Sequence, residues 1–561
     1  MSLFLSQKKN INPLLAKLLL IRKINSDEIS NYLKPNIANN IPNPFLLKDM
    51  EKSVDRVILA IRNKEKIGII ADYDVDGSTS ASILYKFLKN FTNDIFIKVP
   101  NRLSEGYGPN FRIMDDFLEK NIDLIFSLDC GTSSFNIIDN KKYSNIDVIV
   151  IDHHLSEPTM PDVFSIINPN RFDEDSDYVD LAAVGVTYLF LMALRKKMRK
   201  IGYFNEINEP NLLYLLDLVA LGTVCDVVNL SSYNRVFVSM GLDLINKRKN
   251  TAISKILDNS NINKTPNAGD IGYLIGPQLN AASRVDDSSL PYKLLISKSI
   301  DEIDKISRKL ILLNEKRKLI ENNVYEDALL QAEKQTNENF ILVYGNDWHN
   351  GVLGIIASRL INKFNKPTIV ISFINSIGVG SARSIKSIDL GNLILNAKNE
   401  NIINGGGGHK MAAGLQINKN QLSVFINFLK KNINFLPINI FQKKEIFDLE
   451  ISSDEINNDL LSILELMEPF GSGNSEPKFI IKDIKIDHIN TLKNKHLLLI
   501  FHNNLGSTIK GICFNCVGTF LGDYLLSFKN YKFAIGCTIR RDNFTNSPIP
   551  QIIIQDAMII D

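Results

Sequence analysis

The sequence has little of several residue types that mark special classes of protein. Its 561 residues include five cysteines and one tryptophan, and the formal net charge is +2. Sparse cysteines in odd number argue against a secreted disulfide scaffold and predict a reducing, cytoplasmic location. No stretch approaches the roughly 18 consecutive apolar residues of a transmembrane helix, and the charged N-terminal region predicts no signal peptide. A near-zero net charge excludes a polycation, so any contact with nucleic acid needs locally concentrated basic residues.

The hydrophobic pattern predicts several α/β domains. At about 150 residues per domain, the length corresponds to roughly three or four domains. Short apolar runs alternate with helical patterns in the first half, which predicts a buried parallel sheet. Residues 292–344 contain neither glycine nor proline and predict a long helix between two domains. Beyond about residue 440, five strand-like segments predict a small β-barrel of the OB type.

We therefore divide the chain into five predicted segments. They are an N-terminal helical segment (1–50), a first α/β domain (51–290), a connecting helix (291–337), a smaller α/β domain (338–435) and an OB-like domain (440–561).

Acidic residues recur where predicted strands of the first domain end. Asp72, Asp74 and Asp76 alternate in the segment DYDVDG. If the backbone stays extended there, the three carboxylates lie on one side and repel one another, and a cation would remove that penalty. Further candidates follow other strands or a helix: Asp129, Asp152, His153, His154 and Asp226. Each aspartate alone is better explained as a turn or helix cap, but their recurrence at several strand ends predicts a metal site.

The side chains in this set indicate which metals would bind. Four carboxylates, those of Asp74, Asp76, Asp129 and Asp226, balance the charge of two divalent cations. Oxygen ligands with a little imidazole and no thiolate favour Mn²⁺ or Mg²⁺ over Zn²⁺. Two such ions about 4 Å apart can clamp a phosphate and activate a water molecule. The sequence therefore predicts a site for two divalent cations that could act on a phosphate group.

Several motifs carry a resemblance to a known family. DYDVDG, LDCG, IDHH and TVCDVV resemble the four acidic motifs of the DHH phosphoesterase superfamily. Six further segments resemble motifs of the RecJ family in the same order: NRLSEGYG, GPQLNAASR, DWHNGVLGIIASRL, GSARS, GGGGHKMAAGL and EPFGSGNSEPKF. The resemblance implies a DHH domain, a connecting helix, a DHHA1 domain and an OB-like domain. It also implies a 5′-to-3′ exonuclease of DNA repair and recombination that releases 5′-mononucleotides from single-stranded DNA.

The same resemblance implies roles for the acidic and histidine residues. Asp74, Asp76, Asp129, His153 and Asp226 would be metal ligands, and Asp76 would also count among the catalytic residues. His154 would lie beside the scissile phosphate, and Asp152 would orient a histidine. Asp72 belongs to the same motif and is a further candidate ligand.

The resemblance also implies phosphate contacts, mostly in the second half of the chain. The residues concerned are Arg102, Arg284, Ser381, Arg383, Gly407, Gly408 and His409. A glycine run lets backbone amides approach an anion closely, and an arginine fork fits phosphate oxygens; on its own, the run would be read as a flexible turn. Some residues depart from the family pattern: Ile70, Gln278 and Ser283 stand where His, Arg and Gly are usual, and Cys225 and Lys410 replace small residues.

Two other functions stay open at this point. One is a non-catalytic DNA-binding scaffold like Cdc45, and the other is a DHH phosphodiesterase for short RNAs or cyclic dinucleotides. The intact acidic set favours an enzyme over the scaffold, and the length of the chain argues against the short-substrate enzymes. By resemblance, we expect a monomer that cooperates with single-strand-binding protein and a RecQ-type helicase. Polarity, processivity and tolerance of RNA are not readable from the residues.

Overall fold

A computed structural model describes residues 2–40, 42–262, 264–335, 337–527, 531–542 and 549–560. The helices are α1 Ser2–Lys9, α2 Pro13–Ile21, α3 Ile29–Leu33, α4 Ile37–Asn40, α5 Met50–Asn63, α6 Val75–Leu88, α7 Phe111–Glu119, α8 Ala183–Lys200, α9 Leu216–Cys225, α10 Ser232–Asn246, α11 Thr251–Asn259, α12 Ala268–Asp270, α13 Gly276–Val285, α14 Leu290–Ile296, α15 Ile300–Glu333, α16 Leu353–Phe364, α17 Leu390–Asn399, α18 Leu422–Ile433, α19 Asn458–Glu465 and α20 Phe520–Ser527. Among the described residues, none of these helices combines the length and the apolar character needed to cross a membrane.

The strands form three sheets. They are β1 Ile67–Ala71, β2 Ile95–Lys98, β3 Leu124–Leu128, β4 Asp147–Ile151, β5 Ser165–Ile167, β6 Ile341–Asn346, β7 Thr368–Ile374, β8 Ile377–Arg383, β9 Gly405–His409, β10 Ala412–Asn418, β11 Leu449–Ile451, β12 Phe479–Leu492, β13 His496–His502, β14 Thr508–Cys513, β15 Lys532–Arg541 and β16 Pro550–Ile560. One sheet belongs to each of the three domains, so the mixed α/β class expected from the sequence is confirmed.

The first sheet is parallel throughout, in the order β2-β1-β3-β4-β5. Its strands are almost wholly apolar because helices cover both faces. The register places Ala71, Leu128 and Ile151 in one row across the three central strands. The residues that follow these three therefore leave the sheet side by side, along one edge.

The connecting helix differs from its predicted extent of 291–337. The structure has two helices there, α14 and α15, separated by three residues. Ser297 is extended, and the Ser299 side chain accepts the Glu302 N–H as the N-cap of α15. Serine side chains can hydrogen-bond to the backbone and so end a helix without glycine or proline. The prediction of one continuous helix did not account for this.

The second sheet has the order β6-β7-β8-β10-β9 and is parallel only between β6 and β7. The glycine run is its edge strand β9 and not a turn. Register pairs Arg383 with Ala412 and Ala412 with His409, and Ser381 lies in the parallel row that ends at Gly407. Since residues two apart in a strand share a face, Ser381, Arg383, Gly407 and His409 lie on the same face of this sheet.

The strand pairings of the C-terminal domain close into a ring. β12 pairs with β13, β13 with β14, β14 with β16, β16 with β15, and β15 again with β12. The pairings are antiparallel except for the one between β14 and β16. Two short helices, α19 and α20, also belong to this domain and were not expected from the sequence.

The N-terminal helices belong to the core of the C-terminal domain. Leu15, Leu18 and Leu19 of α2 are buried in the same apolar cluster as Phe479 and Leu499. The described residues 2–40 contain helices α1 to α4, and α2 packs into the core of the C-terminal domain. Nothing in the local sequence pattern could have revealed this partner, which is more than 400 residues away.

Candidate functional site

Three of the predicted aspartates follow the aligned row of the first sheet. Asp72, Asp129 and Asp152 come directly after β1, β3 and β4. The backbone N–H of Asp72 donates to the Leu128 carbonyl at 3.1 Å, and that of Asp129 donates to the Ile151 carbonyl at 2.9 Å. These bonds extend the sheet by one residue, so the parallel strands themselves bring the carboxylates to one edge.

The segment DYDVDG is extended only in part. Asp74 has extended backbone and is the N-cap of α6, and Asp76 lies in the first helical turn. The Asp74 side chain accepts the Gly77 N–H at 3.1 Å. Gly77 is required because a Cβ there would lie 2.4 Å from the Asp72 carbonyl oxygen. A strand–cap–helix transition, not strand alternation, therefore gathers the three carboxylates.

Asp76 is held by the start of another helix. Its two carboxylate oxygens accept the backbone N–H groups of Ala183 and Val184 at 2.7 and 2.8 Å. These residues begin α8, whose partial positive charge favours a carboxylate. Asp76 is only 1% exposed, so its position is fixed by the backbone and not by solvent.

His153 lies at the centre of the acidic cluster. Its Nε2 is 3.4 Å from a carboxylate oxygen of Asp129, 3.5 Å from one of Asp226 and 3.9 Å from one of Asp76. Asp226 reaches this point from the C-terminal end of α9. The structure thus brings together side chains that are up to 150 positions apart in the sequence.

His154 is oriented by Asp152. The Nδ1 atom of His154 lies 2.8 Å from Oδ1 of Asp152 and 3.9 Å from Oδ1 of Asp129. Asp152 also accepts the backbone N–H groups of His153 and His154, and the N–H and hydroxyl of Thr132. These hydrogen bonds occupy the Asp152 carboxylate, which therefore positions the two histidines. Among the described residues, Asp152 belongs to none of the groups of potential metal ligands.

The sequence analysis did not predict Tyr107, Thr132 and Asn168, which surround Asp152 and His154. The Tyr107 hydroxyl donates to the Asp129 carbonyl at 2.8 Å and lies 3.1 Å from Nδ1 of His154. Asn168 donates to the Thr132 hydroxyl and to the His154 carbonyl. A signal existed for Asn168, because it follows β5 as the aspartates follow β1, β3 and β4. Tyr107 lies inside NRLSEGYG and could have been found there.

Burial and mutual repulsion dominate the electrostatics of the carboxylates. Burial, followed by the charge of Asp74, raises the pKa of Asp76 to about 7. Burial, followed by the charge of Asp76, raises the pKa of Asp226 to about 9. The pKa values of Asp72 and Asp129 are raised well above their usual range for the same reasons. Without cations, the cluster therefore disfavours full ionisation.

The two histidines are tuned in opposite directions. Burial lowers the pKa of His153 to about 4, which keeps its imidazole neutral and able to bind a metal. Burial opposes charge on His154 as well, but the hydrogen bond to Asp152 outweighs it and raises the pKa of His154 to about 9. The surroundings therefore favour a neutral His153 and a protonated His154.

The donor set fits divalent cations. Oδ1 of Asp72, Oδ1 of Asp129 and Nε2 of His153 are buried without a hydrogen-bond partner. The potential ligand atoms form three groups, and within each group the atoms lie within 4.8 Å of one another. The groups are Asp129 with His153 and His154, Asp76 with His153 and Asp226, and Asp72 with Asp74 and Asp129. Buried polar atoms that find no partner are costly, and Mn²⁺ or Mg²⁺ would satisfy all three.

A second cluster of charge, which we call the arginine face, consists of Arg102, Arg284, Arg383 and Ser381. The Arg102 guanidinium carbon lies 4.7 Å from the ring centre of Tyr73, the residue between Asp72 and Asp74. Arg284 donates to the Gly351 carbonyl, and Arg383 donates to the Ala382 carbonyl, both at 2.9 Å. The arginine face therefore borders the acidic cluster and spans both α/β domains.

These arginines repel one another. Burial, followed by the charges of Arg102 and Arg317, lowers the pKa of Arg284 to about 9. Burial and Arg102 also lower the pKa of Arg383. In the described part of the chain, no carboxylate forms a salt bridge with Arg102, Arg284 or Arg383. An anion would remove this repulsion.

The glycine strand lies on the open side of the same face. A Cβ built on Gly407 would meet no atom within 4 Å, whereas one on Gly354 would lie 3.1 Å from both Ser381 Oγ and Arg383 Nη2. Gly408 has φ +151° and approaches the backbone of Ala412, so a side chain there would clash. His409 is exposed at the end of the strand. Gly407 and His409 lie on the same face as Ser381 and Arg383, with strand β10 between the two pairs.

Three of the departures from the family pattern occupy ordinary structural positions. Ile70 is fully buried in the core beneath the first sheet. Gln278 donates to the Ser260 hydroxyl at 2.6 Å, and the buried Ser283 donates to the Asn280 carbonyl. None of the three removes a side chain from the acidic cluster.

Comparison with known families agrees with this geometry. Residues 66–223 match the DHH family, N-terminal domain, residues 337–434 match the DHHA1 domain, and residues 447–556 match the RecJ OB domain. The fold and the acidic cluster thus define a phosphoesterase of the DHH class.

Individual relatives narrow the class further. The single-stranded-DNA-specific exonuclease RecJ of Haemophilus influenzae is 33% identical over 90% of this chain and 89% of its own length. RecJ of Escherichia coli is 33% identical over 83% of each chain. The crystal structure of Thermus thermophilus RecJ with Mn²⁺ has the same fold, with a TM-score of 0.82 over 99% of this chain and 77% of that one, at 23% identity. The chain belongs to the RecJ family.

Proposed function

We propose that the protein is a metal-dependent exonuclease that hydrolyses single-stranded DNA from the 5′ end and releases 5′-mononucleotides in DNA repair and recombination. The relatives named above are single-stranded-DNA-specific exonucleases, and the metal-dependent activity on single strands follows from membership of their family. The 5′ polarity rests on the family resemblance. The single observation that carries the proposal is an acidic cluster with unpartnered ligand atoms beside an arginine face that forms no salt bridge with a carboxylate among the described residues.

The acidic cluster supplies the ligands in this proposal. Asp72, Asp74, Asp76, Asp129, His153 and Asp226 would hold two divalent cations, Mn²⁺ or Mg²⁺. When bound, these cations polarise the phosphoryl oxygens and activate water for attack. The scaffold alternative predicts a degraded cluster, whereas every expected carboxylate is present.

The residues around the acidic cluster hold His154 and Asp76 in position. Asp152 holds His154 at the rim of the cluster, where a charged imidazole would stabilise the negative charge that develops on the phosphate. Asp76 fixes the acidic cluster against α8. The protein therefore supplies positioning and a fixed electrostatic field, which is what phosphoryl transfer needs.

The arginine face would grip the terminal and neighbouring phosphates of the strand. Arg102, Arg284 and Arg383 offer forks that match phosphate oxygens, and Ser381, Gly407, Gly408 and His409 would add polar contacts from the second sheet. Contacts to phosphate carry no sequence information. Binding should therefore be independent of sequence and should weaken severalfold or more between about 50 and 200 mM salt.

Further partners belong to the same proposal. By family resemblance, single-strand-binding protein would present the DNA, a RecQ-type helicase would unwind it, and the nuclease would act as a monomer in the cytoplasm. The length of the match with the RecJ relatives favours this function over a phosphodiesterase for short RNAs or cyclic dinucleotides.

The experiment compares wild type with Asp226→Asn on single-stranded DNA labelled at the 5′ or the 3′ end. Asp226 is preferable to Asp76, because a substitution of Asp76 would also remove its hydrogen bonds to the backbone at the start of α8. We expect early release of a labelled mononucleotide from the 5′ end only, dependent on Mn²⁺ and on Asp226. Release from the 3′ end first would overturn the polarity, and tight binding without degradation would favour the scaffold.

A further inference from the structure

A cavity with polar and apolar walls, which we call the second cavity, opens between the first α/β domain and the start of α15, away from the acidic cluster. Its volume is about 440 Å³, within the range of small-molecule sites. The lining includes Lys86, Lys249 and Lys298, the aromatic ring of Tyr214 and the carboxyl group of Asp217. Lys86 lies ten residues after Asp76 in α6, which corresponds to about 15 Å along the helix axis. The cavity is therefore separate from the nuclease site.

The three lysines lack partners of opposite charge. In the described part of the chain, none of their ammonium groups forms a salt bridge with a carboxylate. Burial and the charge of Lys298 lower the pKa of Lys86, and only Asp217 acts in the other direction. The Lys249 ammonium lies 5.8 Å from the centre of the Tyr214 ring. The lining thus contains three lysines and one carboxyl group, that of Asp217.

Asp217 does not neutralise this charge through a direct ion pair. Its carboxylate accepts the Asn250 amide at 2.9 Å and the Leu218 N–H at 2.6 Å, so its hydrogen bonds are already made within the protein. Burial raises its pKa. The lining of the cavity therefore has a surplus of positive charge.

Three helices also begin at this cavity and add to its positive potential. Lys249 directly precedes the N-cap of α11, and Lys298 directly precedes the N-cap of α15. Asp217 and Leu218 lie in the first turn of α9. Helix starts carry a partial positive charge, and here they reinforce lysines that already line the space.

We propose that this cavity binds a small phosphate monoester of nucleotide size. The phosphate would contact the lysines, and the base would lie against Tyr214 and the apolar wall that includes Leu244 and Ile303. Binding at this cavity does not depend on the exonuclease activity. Because α6 and α9 carry cavity residues near one end and Asp76 and Asp226 near the other, the ligand would contact the two helices that hold proposed metal ligands.

The test is calorimetric titration of inorganic phosphate and of dAMP into the full-length protein in chelator. All variants carry Arg383→Gln, which weakens the competing arginine face. Lys249→Glu with Lys298→Glu removes the cavity charge, and Lys398→Glu with Lys431→Glu is the control with the same change in net charge. Both control lysines are exposed and lie on the DHHA1 domain.

We expect the affinity for both probes to fall at least tenfold in the cavity variant and less than twofold in the control. Tyr214→Ala should lower the affinity for dAMP and leave the affinity for inorganic phosphate unchanged. Equal losses in the cavity variant and the control would overturn the site. Equal affinity for dAMP and phosphate in the protein with Tyr214 intact would overturn the nucleotide assignment. A ten-nucleotide oligonucleotide that binds the cavity more tightly than dAMP would reassign the lysines to a DNA track and also overturn the proposal.

Discussion

The acidic cluster and the arginine face lie side by side but are built in different ways. The cluster comes entirely from the DHH domain, and His153 lies 3.4–3.9 Å from three carboxylates. The arginine face spans two domains, and its members are held by backbone carbonyls such as those of Gly351 and Ala382. Each region has excess charge of one sign. The comparison teaches that one region requires cations and the other requires an anion, and a metal-bound phosphodiester would satisfy both.

The largest effect should follow removal of one carboxylate from the cluster. Asp129→Asn keeps the shape of the side chain but removes a charge at the centre, so nuclease activity should fall by about 10²–10³-fold or more. The stabilisation by Mn²⁺, measured as a rise in Tm, should shrink with it. In chelator, the same variant should be more stable than wild type, because the carboxylates repel one another.

The exposed Asp94→Asn is the matched control and should leave activity and Tm unchanged. Full activity of Asp129→Asn would contradict the assignment of the cluster.

A smaller effect, of a different kind, should follow a change in the arginine face. Arg383→Gln removes one proposed phosphate contact, so the KM for single-stranded DNA should rise about tenfold, with kcat changed much less. The slope of log binding constant against log salt should fall by about one. Arg308→Gln, on the exposed side of α15, is the control. An unchanged salt slope would remove Arg383 from the DNA path.

The charge of the cluster should also make the metal-free protein sensitive to pH. In the native state, Asp76 and Asp226 keep their protons up to about pH 7 and 9, but in the unfolded state they release them near pH 4. His154, whose pKa is raised to about 9, acts in the same direction. Because the unfolded state binds fewer protons than the native state, Tm in chelator should fall as pH rises from about 6.5 to 9.

Saturating Mn²⁺ should reduce this fall, since the cation favours ionised carboxylates. A metal-free Tm that rises over the same interval would show that the carboxylates are not mutually destabilising.

A modest effect is expected at the boundary of the two regions. Tyr107→Phe removes the hydroxyl near His154 and leaves the ring, so activity should fall about fivefold, the equivalent of about 1 kcal/mol. The affinity for Mn²⁺ should not change, because Tyr107 is not among the ligand candidates. Tyr344→Phe, distant on β6, is the control. A loss as large as that of Asp129→Asn would place Tyr107 among the groups that touch the reacting phosphate.

The smallest effect concerns a departure from the family pattern. Gln278→Arg restores the usual residue, but Gln278 already bonds Ser260 and does not touch the arginine face. The Kd for single-stranded DNA should therefore change less than about twofold, as for most substitutions away from a binding site. A tenfold tighter Kd would show that the missing arginine is a real loss of phosphate contact.

Much of the fold could be predicted because the local signals are strong. Alternating apolar runs and helical patterns predicted a parallel sheet in the first half of the chain, and strands β1 to β5 form one. The break between α14 and α15 was missed because serine caps interrupt a helix without glycine or proline. The glycine run forms a strand although glycine disfavours strands, because pairing with β10 holds it extended.

By itself, the sequence determined the chemical inventory: the carboxylates and histidines at the strand ends, the arginines and the family motifs. Tertiary structure alone decided how these groups meet. The parallel register aligns Asp72 with Asp129, and the start of α8 clamps Asp76. Tertiary packing also brings the N-terminal helices onto the C-terminal core and the lysines of the second cavity together. The physical reason is that side-chain type and local periodicity are written along the chain, whereas contacts between distant segments depend on how whole elements pack.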